Sequence, residues 1–288
     1  MKTSALLLSL IWILGSISIS VSDQRCSRIV SLAPSITETL FELDLGSSIV
    51  GRTRYCLYPP LARKIPEIGG FLDTNLESIA ATRPSIAILL KEQGELAVKL
   101  EALHIPTVIV DQRSVKGILD SISTIGRECH QEARATALRR KLEGSITTIQ
   151  NQVAGITPKR AFVSVGRVAE NGKLTSIFVA GSDGFYSDIL KLAGGENANK
   201  GTTVTLPTVS PEGIIALNPD VIFEIVTEPG AESLSDSYLE ALWHAIPGIS
   251  NVPVFILRAD YVGIPGPRFP LLLADIAARL HPEVKKIS

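Results

Sequence analysis

At 288 residues the chain can hold one large folded unit or two smaller ones. It is 45% hydrophobic and 20% charged, which excludes the disordered class. The net charge is −1 with no long basic or acidic block, so nothing in the electrostatics points to nucleic acid or an anionic membrane.

Met1-Lys2-Thr3 is short and positive, Ala5 to Ile19 is mostly apolar and uncharged, and Ser20 and Ser22 flank Val21. This is the three-part layout of a secretory signal, with cleavage expected after Ser22. The competing reading, a membrane anchor, needs roughly 20 apolar residues, and this run is shorter. Asp-Gln-Arg before Cys26 is not the small-residue pattern that precedes a lipid-modified cysteine. Residues 1–22 are therefore read as a signal peptide and the product as soluble and exported, an environment that permits disulfides.

The mature elements follow in order. Residues 28–32 (RIVSL) read as a strand. Ser35-Ile36-Thr37-Glu38 reads as a capping box that starts a helix running to about Leu45, where Gly46 stops it. Residues 48–51 read as a second short strand, and the loop RTRYCLYPP follows. A helix is expected over 76–82, a strand over 86–90, a helix over 95–103, a strand over 108–110 and a helix from Val115. The strands are continuous apolar runs at short spacing, the pattern of a parallel sheet covered by helices on both faces. A long helix of about 25 residues is expected next, ended by Gly155 and Pro158.

The second half has the same grammar. A strand at 161–165 and an extended segment at 173–180 flank the Asn171-Gly172 turn. A helix over 184–193 stops at Gly194-Gly195, and Ser210 caps a helix with Pro211 at its first position. A strand at 221–225, a helix at 235–245, a strand at 254–257 and a helix at 270–280 complete it. The reading is an α/β protein of two lobes with parallel-rich sheets flanked by helices. The N-terminal lobe is 28–128, the connecting helix 129–155 and the C-terminal lobe 158–288. One long rigid helix joins them, and the ligand cleft lies between the lobes, with only a small hinge permitted.

A phrase is written twice. NLESIAATRPSIAILL at 75–90 aligns without a gap on SPEGIIALNPDVIFEI at 210–225, sharing Glu77 with Glu212, Ile79 with Ile214, Ala81 with Ala216 and Pro84 with Pro219. In open parallel sheets, ligands bind outside the carboxyl edges of the strands. Both helices should start near such an edge, so Glu77 and Glu212 project from equivalent places on the two lobes. A carboxylate in a first helical turn also complements the helix dipole, and that local role stands beside any functional one. The other carboxyl-edge loops carry Pro34, Ser35, Tyr55, Cys56, Tyr58, Phe71, Lys91 and Gln93 in the first lobe. The second lobe offers Arg167, Leu206, Asp260, Tyr261 and Arg268. Aromatics with polar handles suit a large, flat, partly polar ligand, although Tyr58 and Phe71 also suit plain loop packing.

Cys26 precedes the first strand and Cys129 follows a helix running back from the carboxyl edge, so both belong near the amino edge of the first sheet. A Cys26–Cys129 disulfide is expected, with Cys56 left as a small apolar filler. His104, His130, His244 and His281 do not converge on a carboxyl-edge loop, so no preformed metal site and no catalytic base is expected. No nucleophile elbow, GxGxxG or P-loop is present. Trp243 is expected in the core.

RIVSLAPSITETLFEL, the YCLYPP loop, GGFLDTNLESIAATRPSIAIL and VSPEGIIALNPDVIF resemble the periplasmic substrate-binding proteins of ABC importers, most of all the group that carries cobalamin, ferric siderophores and haem. The resemblance covers about residues 28–282. It implies a periplasmic, monomeric carrier with no enzymatic activity, no resident cofactor and a metal chelate as ligand. In that family a glutamate on each lobe pairs with arginines of the two permease subunits, and Glu77 and Glu212 stand at those positions. Tyr55 and Phe71 fall where cobalamin carriers place ring-contacting aromatics, and Leu206 stands where some carriers have a tryptophan. Arg167, Arg258 and Arg268 offer partners for a carboxylate- or catecholate-bearing ferric complex. Cobalamin is the leading ligand, ferric siderophores and haem the alternatives, and a chelatase-like enzyme on the same architecture the alternative of another class.

Overall fold

The computed structural model describes residues 25–201, 207–227 and 230–283; the expected signal segment and Leu206 lie outside the described residues. In the first lobe, β1 (Ile29–Ser31), β2 (Ile49–Arg52), β3 (Ile86–Leu90) and β4 (Thr107–Val110) form an all-parallel sheet in the order β2-β1-β3-β4. The sequence of β3, IAILL, is buried at all but its last position, as a strand covered on both faces requires. The helices α1 (Pro34–Glu42), α2 (Leu76–Ala81), α3 (Gly94–Ala102) and α4 (Val115–Glu128) cover the sheet. Then α5 (Glu132–Val153) runs for 22 residues into the second lobe.

The second lobe contains β5 (Lys159–Glu170), β6 (Lys173–Val179), α6 (Phe185–Leu192), β7 (Gly195–Asn197), β8 (Thr208–Val209), α7 (Pro211–Leu217), β9 (Val221–Ile225), α8 (Asp236–His244), β10 (Val254–Leu257) and α9 (Phe269–Leu280). Its sheet runs β10-β9-β5-β6-β8, with β7 also on β5. This sheet is mixed, because β6 is antiparallel to both β5 and β8. Asn171 and Gly172 have φ of 51° and 73°, the two positive values a tight hairpin turn demands, and they fold β6 back along β5. The strands β7 and β8, three and two residues long, are too short for a sequence pattern to betray.

Two local expectations are corrected. The first helix starts at Pro34, whose fixed φ suits the first helical position, so Ala33 is the N-cap and no side chain caps it. Ser35 and Glu38 therefore lie inside the helix and do not form a capping box. The same helix ends at Glu42 instead of Leu45, because Asp44 turns left-handed at φ 62° before Gly46 is reached. His104 and His130 do likewise after α3 and α4, at φ 58° and 55°.

The largest apolar core crosses both lobes. It joins Ile29, Ile36 and Ile88 of the first lobe to Leu138 and Leu142 of α5 and to Phe223, Phe269 and Leu273 of the second. The connecting helix packs on α4, α6 and α9, so it is the spine of a shared core and not an isolated strut. Smaller cores lie around Ile79 and Leu89 in the first lobe, and around Phe162 and the fully buried Trp243 in the second. Cys26 and Cys129 are joined by a disulfide, with Cα atoms 5.3 Å apart. Cys56 is a free, fully buried thiol beside the Thr53 hydroxyl, and burial raises its pKa.

The duplicated phrase folds into matching pieces. Asn75 accepts from Ser78 N at 2.9 Å at the head of α2, and Ser210 accepts from Gly213 N at 3.3 Å at the head of α7. Ile79 and Ile214 are both fully buried beneath their helices, while Glu77 and Glu212 are both exposed. The match extends to Arg83 and Asn218, each at φ 47° immediately before the shared proline.

Candidate ligand-binding cleft

The carboxyl edge of the first sheet is where the loops after β1, β2, β3 and β4 meet. Its apolar surface is concentrated on one stretch. Tyr55, Leu57, Tyr58, Leu61 and Leu72 are 50%, 47%, 40%, 59% and 94% exposed, an unusual density of uncovered large side chains. Phe71, half-buried, sits among them. The stretch is pinned from two sides. Arg54 reaches Asp73 at 2.6 Å, which ties the Tyr55 loop to the Phe71 loop. Gln93, buried, donates to the carbonyls of Leu32 at 3.3 Å and Phe71 at 3.5 Å while its own oxygen accepts from Leu90 N. Gln93 is thus a brace behind the rim and not part of its surface.

Ser35 is 2% exposed and its hydroxyl donates to Gln112 Oε1 at 2.5 Å; Pro34 beside it is half-buried. Lys91 lies 3.6 Å from Asp111. Asp111 is also held by Arg113, whose hydrogen bond lowers its carboxyl to a pKa of about 2.

The opposing rim belongs to the loops after β9 and β10. A recess of about 350 Å³ is lined by Val226, Thr227, Leu234 and Arg258 among others. Arg258 donates to Asp236 at 2.7 Å and to the carbonyls of Ala231 and Leu234, closing that loop on itself. Arg167 turns inward: its side chain is 6% exposed and pairs with Glu224, which is fully buried and also accepts from the Trp243 indole. Tyr261 donates its hydroxyl to Asp275 at 2.6 Å, and burial together with that neighbour pushes its pKa up to about 12.

Arg268 is where the two rims meet. Its guanidinium donates to both oxygens of Glu38 in the first lobe, at 2.6 and 3.0 Å, and to Asp260 in the second at 2.7 Å. Tyr58 lies flat against it, with its ring centroid 3.8 Å from the guanidinium carbon. The side chains of Arg268 and Glu38 are 12% and 2% exposed, and burial raises the Glu38 carboxyl above its ordinary pKa. A charge removed from water this far needs paired, hydrogen-bonded company, and the two-pronged fork supplies it. Gly266 allows the approach: a Cβ there would lie 3.1 Å from Ser35 Cα.

Of the residues singled out in the sequence, Tyr58, Asp260, Tyr261 and Arg268 come together at this junction. Tyr55 and Phe71 form the adjoining rim, Ser35 lies against Gly266 and Gln112, and Pro34 is half-buried beside it. Arg167 is engaged within its own lobe. Glu77 and Glu212 stand exposed at the heads of their helices. The residues missed are Glu38, Glu224 and Gln112. A glutamate inside the apolar run VIFEI is itself a signal for a buried partner, whereas nothing local marks Glu38. Among the described residues, no group of three or more His, Cys, Asp or Glu side chains converges to hold a metal ion. No helix among them is long and apolar enough to cross a membrane.

A family model described as "Periplasmic binding protein" matches residues 29–260. Among curated proteins, a "Vitamin B12-binding protein" from Photorhabdus laumondii is 27% identical over 283 residues, covering 97% of each chain. One of the same name from Yersinia pestis is 25% identical over 265 residues, covering 91% of this chain and 89% of its own. Among solved structures, a periplasmic heme-binding protein from Pseudomonas aeruginosa superposes with a TM-score of 0.77 at 21% identity, over 91% of this chain and 95% of its own. A periplasmic vitamin B12-binding protein from Vibrio cholerae gives 0.74 at 23% identity, over 90% and 98%. At these identities the two superpositions speak for the fold alone.

Proposed function

This chain belongs to the periplasmic binding protein family, and from that premise we propose that it captures a corrinoid of the cobalamin type between its lobes and delivers it to an ABC importer. The observation that carries the choice of ligand is the state of the cleft arginines. Arg167, Arg258 and Arg268 are each already held by a protein carboxylate, on Glu224, Asp236 and Glu38 with Asp260. Beside them, the large side chains left uncovered are apolar and aromatic: Tyr55, Tyr58, the half-buried Phe71 and the neighbouring leucines. Such a surface favours a broad ring system with neutral polar edges over a densely anionic ferric catecholate. The names of the relatives that align over nine-tenths of the chain point the same way.

Haem is the second reading. The half-exposed phenols of Tyr55 and Tyr58 are the observation that favours it, because a tyrosine oxygen can hold ferric haem iron. Residues 1–22 direct export on this reading, and the carrier works in the periplasm without catalysing a reaction. Glu77 and Glu212 meet the two permease subunits. Exposed ion pairs are weak one by one, about 0–1 kcal/mol, so their role is register and encounter more than affinity.

Calorimetric and absorbance titration of the mature protein with cyanocobalamin, haemin and a ferric siderophore tests the ligand. Saturable one-to-one binding of cyanocobalamin, tighter than the other two, is the expected result. Tighter binding of haemin or the siderophore would replace it.

A further inference from the structure

We infer that Glu38 and Asp260 act as an anion filter in the cleft: by enclosing Arg268 they set the cleft against ligands that carry free carboxylates. The inference rests on the proposed ligand-binding role of the same cleft. Its basis is a charge count at the place where the rims meet. One guanidinium faces two carboxylates there, which leaves one net negative charge. Glu42, one helical turn beyond Glu38, adds to the same field. Several other ion pairs on the rims are matched one to one: Arg54 faces Asp73, Arg258 faces Asp236 and Arg167 faces Glu224. Lys91 and Arg113 face Asp111 and Glu92, with Asp183 also near Arg113. At the junction of the lobes the excess is negative and sits directly around Arg268.

The geometry keeps Arg268 from offsetting it toward a ligand. Both prongs of the fork go to Glu38, the third nitrogen goes to Asp260, and the face of the guanidinium is covered by Tyr58. A ligand carboxylate would have to displace either Glu38, which is desolvated and bidentate, or Asp260, which already holds the remaining nitrogen. Asp260 is the outward member, 66% exposed, so an approaching anion meets it first. A neutral edge group meets no such opposition. Specificity built this way is repulsion of the wrong ligand added to attraction of the right one.

The test compares two probes that differ only in charge. Haemin carries two free propionates, and its dimethyl ester has the same ring and iron with neither. The affinity ratio of acid to ester is measured for the unaltered protein, for Asp260→Asn and for Glu38→Gln. The unaltered protein should prefer the ester. Each substitution should move the ratio toward the free acid by about tenfold at low salt, and 0.5 M salt should shrink the change. A ratio that stays within twofold in both variants overturns the inference, as does failure of either probe to bind any of the three proteins. Asp260 is exposed enough for its variant to fold whatever befalls Glu38→Gln. Because the readout is a ratio, general damage to the cleft cancels. Cyanocobalamin binding by the unaltered protein decides the ligand reading separately.

Discussion

At the scale of single residues, two buried glutamates organise the charges of this molecule, and they differ in how they declare themselves. Glu224 interrupts the apolar strand VIFEI, where a lone carboxylate would be prohibitively desolvated; its presence in the sequence already demands a partner. Arg167 and the Trp243 indole answer that demand. Glu38 gives no such warning. Spaced three residues from Ser35, it imitates a capping box, and its true partner, Arg268, is 230 residues away. Local spacing rules cannot see a partner at that distance, which is why the elements were legible and this junction was not. Breaking a buried pair by removing one member is costly, because the other charge stays desolvated. Glu224→Ala should therefore destabilise the protein by about 3–5 kcal/mol in denaturant titration. Without residues 1–22, Trp243 is the only tryptophan, so a shift in its fluorescence should accompany the loss. A change under about 1 kcal/mol would mean that Arg167 finds equal compensation elsewhere.

At the scale of elements, the duplicated phrase was readable because it is made of local signals: a cap, an acidic second residue, a buried isoleucine and a proline that ends the turn. Caps and burial came out the same in both copies. The left-handed turn at Arg83 was hidden, because an arginine does not advertise positive φ as Asn218 does. The two copies make α2 and α7 equivalent helices carrying equivalent exposed carboxylates, one per lobe. Transport should depend on both. A Glu77→Ala/Glu212→Ala double variant is expected to bind ligand within about twofold of the unaltered protein and to fail in reconstituted uptake. Uptake at the normal rate would reduce both residues to helix-dipole partners.

At the scale of the whole molecule, the continuous apolar strands and the long helix gave the two-lobe architecture. The pattern did not give β7 and β8 of the second sheet, which are three and two residues long. It also did not give the sharing of one core by both lobes through α4, α5, α6 and α9. The disulfide closes a span of 103 residues, worth about 4–5 kcal/mol in the chain-entropy picture. Reduction, or Cys26→Ala/Cys129→Ala, should lower the denaturation free energy by roughly that amount while leaving ligand affinity unchanged. A loss below about 1 kcal/mol would show that the reduced chain is already ordered around β1. The same bond bears on the order in which the chain assembles. Both cysteines lie within the first 129 residues, ahead of the second copy of the repeated phrase. A chain that contains two interchangeable helix–strand units risks pairing a strand with the wrong sheet. If the chain is exported as proposed, the crosslink seals the first unit before the second has left the translocation pore, so that timing, as well as packing, keeps the copies apart.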